Sequence, residues 1–416
     1  MELYYSLSIL IVIAAFFSFL NVRYLKLPST IGVMLIAMLV SISLIAAGKI
    51  YPHLFTGFTK IIASVDLSEI LMGAILNFLL FAGAIHISLH ELRKQRIPIM
   101  IFSTLGVIIS TLVVGLLMYA VFQILALPIP FIQCLVFGAL ISPTDPIAVI
   151  GILKSAGIRK SLEIRVAGES LFNDGVSVVL FAVLLQLARG SEFDLTFIHI
   201  SGLFLREAGG GLLVGLLIGY IGSHGIKGIN SYNVTVIITL AVVMGGYLIT
   251  RYLHVSGPLT MVVAGLVIGN YGETIGMSAS DRSYLYKFWE LIDEILNAIL
   301  FLIIGFELLL IPELEEYWVI GSLSILVVLM ARFLSIWLPI RLIPNIGRFD
   351  RQTIVILVWG GLRGGVSVAL ALTIDRSLHQ NLFLSITYYI VVFSIVVQGL
   401  TIGKLTKTLK HPSSRS

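Results

Sequence analysis

Residues 138–152 read GALISPTDPIAVIGI, and residues 167–185 read AGESLFNDGVSVVLFAVLL. Both belong to apolar stretches long enough to cross a bilayer, yet the first holds Asp145 and the second holds Glu169, Asn173 and Asp174. An ionisable side chain at membrane depth is expensive and by default marks an ion or proton path. Two such segments in succession read as a transport site. In the first, Pro146 removes a backbone donor and disfavours helical geometry at Asp145, and Pro143 does the same to Ser142. The pair predicts a broken helix whose freed carbonyls and half-helix ends lie where secondary transporters hold their ions. In the second, Glu169, Ser170, Asn173 and Asp174 fall within a sector of about 140° on a helix, one polar stripe facing the bundle interior. A carboxylate among neutral oxygens suits a weakly held monovalent cation. Asp174, Thr144, Ser170 and the Asp145 carbonyl are the candidate donors.

The rest of the chain agrees with a membrane setting. Of 416 residues, 58% are hydrophobic and only 12% charged, against about 25% charged in an ordinary soluble domain. Mean hydropathy is +1.04. Apolar runs recur with short polar separators, the pattern of a polytopic all-α membrane protein. Spans are predicted at 3–20, 29–48, 69–90, 97–126, 131–153, 162–188, 203–222, 232–251, 257–271, 289–311, 317–340, 352–374 and 384–405, thirteen in all. The first span follows no basic n-region, so it is expected to be retained and not cleaved.

Loop charge sets the orientation. Nineteen Lys and Arg residues, from Arg23 and Lys26 to Lys404, Lys407, Lys410 and Arg415, fall on one side of a thirteen-span arrangement and six on the other. The positive-inside rule then puts the N-terminus outside and the C-terminus in the cytoplasm of a bacterial-type cell membrane. The net charge of +5 is explained by these loops without nucleic acid. No GxxxxGK[ST] loop for a nucleotide and no HExxH metal motif is present. The lone Cys134 excludes an intramolecular disulfide and a cysteine metal cluster. Glycine is abundant, as in GGGLLVGLLIGYIG at 209–222, and reads as close helix packing in lipid. Residues 1–410 are read as one membrane domain and 411–416 as a short cytoplasmic tail.

Late in the chain two arginines lie inside predicted spans, Arg332 in LSILVVLMARFLSIWL and Arg363 in ILVWGGLRGGVSVALAL. A buried arginine needs a carboxylate or several carbonyls. The glycines around Arg363 let a helix unwind there, the expected mate of the broken fifth span in an inverted-repeat transporter.

The succession SPTDPIAV, GESLFNDG, GGLRGGVSVALAL resembles the monovalent cation/proton antiporter-1 family, in particular its bacterial NhaP-type sodium/proton antiporters, over roughly residues 5–405. More distantly it is similar to the animal sodium/proton exchangers. The resemblance implies an inverted-repeat fold in which discontinuous fifth and twelfth helices cross at the midplane. It implies a mobile core, mainly spans 3–6 and 10–13, working against a dimerisation part, mainly spans 1–2 and 7–9, in a homodimer. The family's ion-binding aspartate falls on Asp174, where Na⁺ and H⁺ would compete. Asn173 precedes it where electrogenic relatives carry a second aspartate, which implies one-for-one, electroneutral exchange. The family's TD pair falls on Thr144 and Asp145, its glutamate on Glu169, ion-paired with Arg332, and Ser170 lies beside the ion. Arg363 would stabilise the crossing half-helices. The implied activity is not enzymatic and needs no cofactor beyond the transported Na⁺, with Li⁺ beside it, and H⁺. Competition requires Asp174 to titrate in the working pH range.

Other polar residues carry weaker expectations. Asn77 and His86 are candidates for lining the funnel, and His224 and His254 for interfacial positions. Glu307 is placed near an external vestibule, and Asp293, Glu294 and Asn297 near the cytoplasmic start of the tenth span. A K⁺/H⁺ or mixed exchanger is the nearest alternative, since the ligands are the same oxygens. A cation channel and an intramembrane lipid enzyme are the more remote ones.

Overall fold

A backbone in hydrocarbon must satisfy its own hydrogen bonds, so the apolar runs fold as helices. The computed structural model describes residues 2–48, 73, 75–146, 149–151, 160–190, 197–229, 231–271, 277–311, 314–343, 346 and 349–409. Helix α1 (Glu2–Leu20) runs on through a π-helical turn (Asn21–Leu25) before α2 (Ser29–Gly48). There follow α3 (Leu76–Ile85), the short α4 (Leu89–Lys94), α5 (Arg96–Ile124) and α6 (Phe131–Leu140). Then come α7 (Lys160–Ala188), α8 (Phe197–Ile226), α9 (Tyr232–Leu253), α10 (Gly257–Tyr271) and α11 (Ala279–Glu307). The last group is α12 (Trp318–Leu342), α13 (Arg351–Trp359), α14 (Gly365–Leu372), α15 (Gln380–Phe393) and α16 (Gly399–Leu409). A second π-helical turn (Ser394–Gln398) joins α15 to α16. Eight of the described helices are long and apolar enough to cross a membrane, and three more are apolar but shorter.

Two boundaries that bear on the site differ from the expectation. The span predicted at 289–311 starts at Ala279, ten residues earlier. Its first turns carry Asp281, Arg282, Lys287 and Glu290, which dilute the apolar signal, while the Ser278 hydroxyl accepts from Asp281 N and starts the helix. The third span ends at Ile85, not at residue 90, and the chain turns before α4. Residues 69–72 and the expected tail 411–416 lie outside the described residues. The fifth and twelfth spans are both interrupted, α6 stopping at Leu140 and α13 at Trp359.

Glycine decides the closest helix contact. Gly211, Gly215 and Gly219 recur every fourth residue along α8 and lie on Ser256, Thr260 and Ala264, which recur every fourth residue at the start of and along α10. A Cβ on Gly215 would stand 2.7 Å from the Thr260 carbonyl oxygen, so the two backbones approach only because side chains are absent.

Two apolar clusters result. One joins α1, α2, α5, α6, the second half of α11 and α12–α16. The other joins α3, α8, α9, α10 and the first half of α11, where the Trp289 ring lies tilted against Phe81, centroids 4.5 Å apart, and donates to Thr239 Oγ1 at 3.1 Å. Helix α7 lies at the seam. Its Val166, Phe181 and Leu185 pack into the first cluster and its Leu171 into the second. On the same helix, a Cβ on Gly175 would stand 2.4 Å from Leu259 of α10. The third span, expected with the mobile core, is packed chiefly on α10, and α11 bridges both clusters.

Candidate ion-binding site

The two breaks meet. Pro143 and Pro146 keep residues 142–146 out of helical geometry, and Gly360, Gly361 and Gly364 do the same around Leu362. The freed backbones pair across the gap: Asp145 N donates to Leu362 O at 2.8 Å, an isolated antiparallel bridge in an otherwise helical structure. Close approach needs glycine here. A Cβ on Gly364 would stand 2.6 Å from Asp145 Oδ2, and one on Gly361 would stand 2.4 Å from Arg332 Nε.

Each break leaves carbonyls at the C-terminal, negative end of a half-helix. An arginine answers each. Arg363, 2% exposed, donates from Nη1 to Ser142 O at 2.5 Å and Pro143 O at 2.9 Å, just beyond α6. Arg332 donates from Nε and Nη2 to Leu357 O, in the last turn of α13, at 3.2 and 3.0 Å. Its Nη1 reaches Glu169 Oε1 at 2.5 Å, a buried ion pair between α12 and α7. The Asp145 carboxylate sits against Gly364, at the positive N-terminal end of α14.

Around the crossing the α7 stripe presents its oxygens. Ser170 Oγ lies 3.0 Å from Thr144 Oγ1. Asn173 Nδ2 donates to Ser142 O at 3.2 Å and to Thr144 Oγ1 at 3.3 Å, and Ser177 donates back to Asn173 Oδ1 at 2.8 Å. Asn173 is therefore spent on holding the broken strand. Asp174 is not. It is 7% exposed, and its Oδ1 is buried without a hydrogen-bond partner. Arg363 attracts its charge and Asp145 repels it. A buried carboxylate oxygen with no donor, near the hydroxyls of Thr144 and Ser170, can take either a proton or a small cation.

All eight residues singled out in sequence thus converge: Thr144 and Asp145 at one break, Arg363 at the other, Glu169, Ser170, Asn173 and Asp174 on α7, and Arg332 behind them. Sequence reasoning passed over Ser142, whose hydroxyl donates to Gly138 O at 2.7 Å, lies 3.1 Å from Ser110 Oγ and so anchors the break on α5. The signal for it was present: a serine immediately before a proline within an apolar span. Asp293 and Asn297 sit midway along α11, because that helix begins earlier than expected. Glu307 is 2% exposed within apolar packing and lines no open vestibule. Asn77 is buried and donates to Gly73 O at 2.6 Å. His86 follows α3 with its ring 5.2 Å from that of Tyr286, while His224 and His254 lie at the ends of α8 and α9. Among the described residues no group of three His, Cys, Asp or Glu side chains forms a metal centre.

Two interrupted helices crossing around buried acids, with arginines on the freed carbonyls, define a secondary transporter of the crossed-helix kind. Residues 10–408 match the family model described as "Sodium/hydrogen exchanger, transmembrane", and the chain belongs to that family. It is 46% identical to the Na(+)/H(+) antiporter NhaP of Pseudomonas aeruginosa over 96% of this chain and 95% of that one. It is 32% identical to the Na(+)/H(+) antiporter NhaH of Halobacillus aidingensis over 93% of each. Its fold is that of the sodium proton antiporter MjNhaP1 from Methanocaldococcus jannaschii, with a TM-score of 0.77 at 20% identity over 98% of this chain and 99% of that structure.

Proposed function

We propose that the chain is a secondary active antiporter that exchanges Na⁺, with Li⁺ as a second substrate, for H⁺ one for one across the cell membrane. Asp174 carries the argument: a buried carboxylate oxygen with no partner, at a helix crossing, beside the hydroxyls of Thr144 and Ser170. Na⁺ binds when Asp174 is ionised, coordinated by its carboxylate, Thr144, Ser170 and the Asp145 backbone. A proton on Asp174 excludes the cation. Asn173 has no proton to exchange, which supports one proton per cation. Arg363 and Arg332 are already engaged with carbonyls and Glu169, so they keep the crossing rigid and leave the charge on Asp174 to the cargo.

Alternating access follows from the seam. Helix α7 belongs to one packed cluster and abuts the other, so sliding of the site-bearing helices α5–α7 and α12–α16 against α3 and α8–α10 exposes Asp174 to one side at a time. The loop charge supports an N-terminus outside and a C-terminus in the cytoplasm, and a homodimer through the second part of the bundle is in keeping with the family. The names of the relatives support Na⁺ over K⁺ as the cargo.

The experiment is cation-driven proton movement in proteoliposomes with an internal pH dye, run with Na⁺, Li⁺ and K⁺ and with or without a membrane potential. Saturable Na⁺-driven flux that ignores the potential and vanishes in Asp174→Asn is the expected result. Flux unchanged in Asp174→Asn overturns the assignment.

A further inference from the structure

Helix α11 passes the crossing without a part in the mechanism above. Asp293, Asn297, Leu300, Ile304 and Glu307 recur along it at alternating intervals of four and three residues and share one face. Leu300 shows where that face points. A Cβ on Gly365 would stand 2.4 Å from Leu300 Cδ2, so Leu300 packs on the first residue of α14. The residue before it, Gly364, carries the Asp145 carboxylate. Asn297 lies one turn before Leu300 on the same face, about 4.5 Å along the axis, and Asp293 about one turn further.

Asp145 is accordingly a neighbour of both Asp174 and Asp293, and it is the charged group that acts most strongly on each. Every charge acting on Asp293 is acidic: Asp145, then Glu294 and Glu290 of its own helix. Of the helices packed against α11, α2, α3 and α14 contain no charged residue, while α1 and α9 contain one each, Glu2 and Arg251, near a helix end. Asn297 supplies a second, independent sign. It is 2% exposed, its Nδ2 donates to Asp293 O at 2.8 Å, and its Oδ1 is buried with no hydrogen-bond partner. An amide oxygen that has lost its water and gained no donor, beside the Asp293 carboxylate whose charged neighbours are acidic, is completed by a hard monovalent cation.

We propose that Asp293 and the Asn297 amide oxygen, together with the Asp145 carboxylate, form a second monovalent-cation site about one helical turn from the crossing, through which the cation reaches or leaves Asp174. This rests on the reading of the chain as a cation/proton antiporter. Asp145 then serves two sites, its backbone at the crossing and its carboxylate toward α11, and the cation steps between carboxylates without entering hydrocarbon.

The test is the half-saturating Na⁺ concentration of proton movement in proteoliposomes of the full chain. Asp293→Asn raises it about tenfold, by loss of one attractive charge, while Asp293→Glu stays within about twofold. Asn297→Asp adds a carboxylate to the same site with little change of volume and lowers it severalfold. That variant decides the matter if Asp293→Asn is not monodisperse after purification. Half-saturation unmoved in both Asp293→Asn and Asn297→Asp overturns the second site. So does an equal fall in maximal rate in Asp293→Asn and Asp293→Glu with half-saturation unchanged. Absence of Na⁺-driven flux from the unsubstituted chain refutes instead the antiport reading, so the two failures are distinguishable.

Discussion

Replacing Arg332 with leucine removes three donor contacts at once: one to Glu169 and two to the Leu357 carbonyl. Glu169, 2% exposed, is left without its counter-ion, and the last turn of α13 loses its cap. Breaking a buried ion pair by removing one partner costs about 3–5 kcal/mol, most of it from the stranded charge. For a large bundle about 2 °C of melting temperature accompanies each kcal/mol, so the variant should melt about 6–10 °C lower. Neutralising the stranded charge as well, in Glu169→Gln with Arg332→Leu, should recover part of that loss. A coupling energy of about 2 kcal/mol between the two positions is expected. Purified protein in detergent, followed through the fluorescence of its four tryptophans, gives the four melting curves of the cycle. Additivity of the two single changes to within about 0.5 kcal/mol would refute the view that this pair braces α12 against α7.

Other expectations are as specific. On the proposed mechanism protons compete with the cation for Asp174, so the half-saturating Na⁺ concentration should rise as pH falls, approaching about tenfold per pH unit once the site is mostly protonated; a half-saturation independent of pH between successive proteoliposome assays contradicts competition. Gly364→Ala places a methyl 2.6 Å from Asp145 Oδ2 and should lower flux at least about tenfold by displacing the carboxylate from the crossing, with circular dichroism unchanged. By contrast, the Arg189–Asp375 pair at 2.6 Å is 46% and 44% exposed, so Arg189→Ala should cost less than about 1 kcal/mol in the same melting assay.

Much of this site was legible because its signals are local. Pro143 and Pro146 break a helix wherever they sit, and glycines flanking Arg363 permit the second break, so both interruptions follow from short windows. The stripe from Glu169 to Asp174 needs only helical periodicity. Depth in the membrane follows from the apolar residues on either side of each motif. The start of α11 was not legible, because Asp281, Arg282, Lys287 and Glu290 hide a helix whose first turns carry polar groups. That error displaced Asp293 and Asn297 from mid-helix to its end and concealed their closeness to the crossing.

By itself the sequence determined that the chain spans a membrane many times, where its helices break, and which acids and amides lie at depth, since hydropathy, proline geometry and periodicity act over a turn or two. Only the tertiary structure decided who meets whom. Arg332 and Glu169 are 163 residues apart, and Arg363 and the Ser142 carbonyl 221. Those contacts exist because two broken helices cross and each arginine finds the carbonyls exposed by a break, a match set by the direction of half-helix ends in space. The unpartnered oxygens of Asp174 and Asn297 are likewise properties of the packed bundle, because an oxygen is left without a donor only when every neighbouring helix has taken its place.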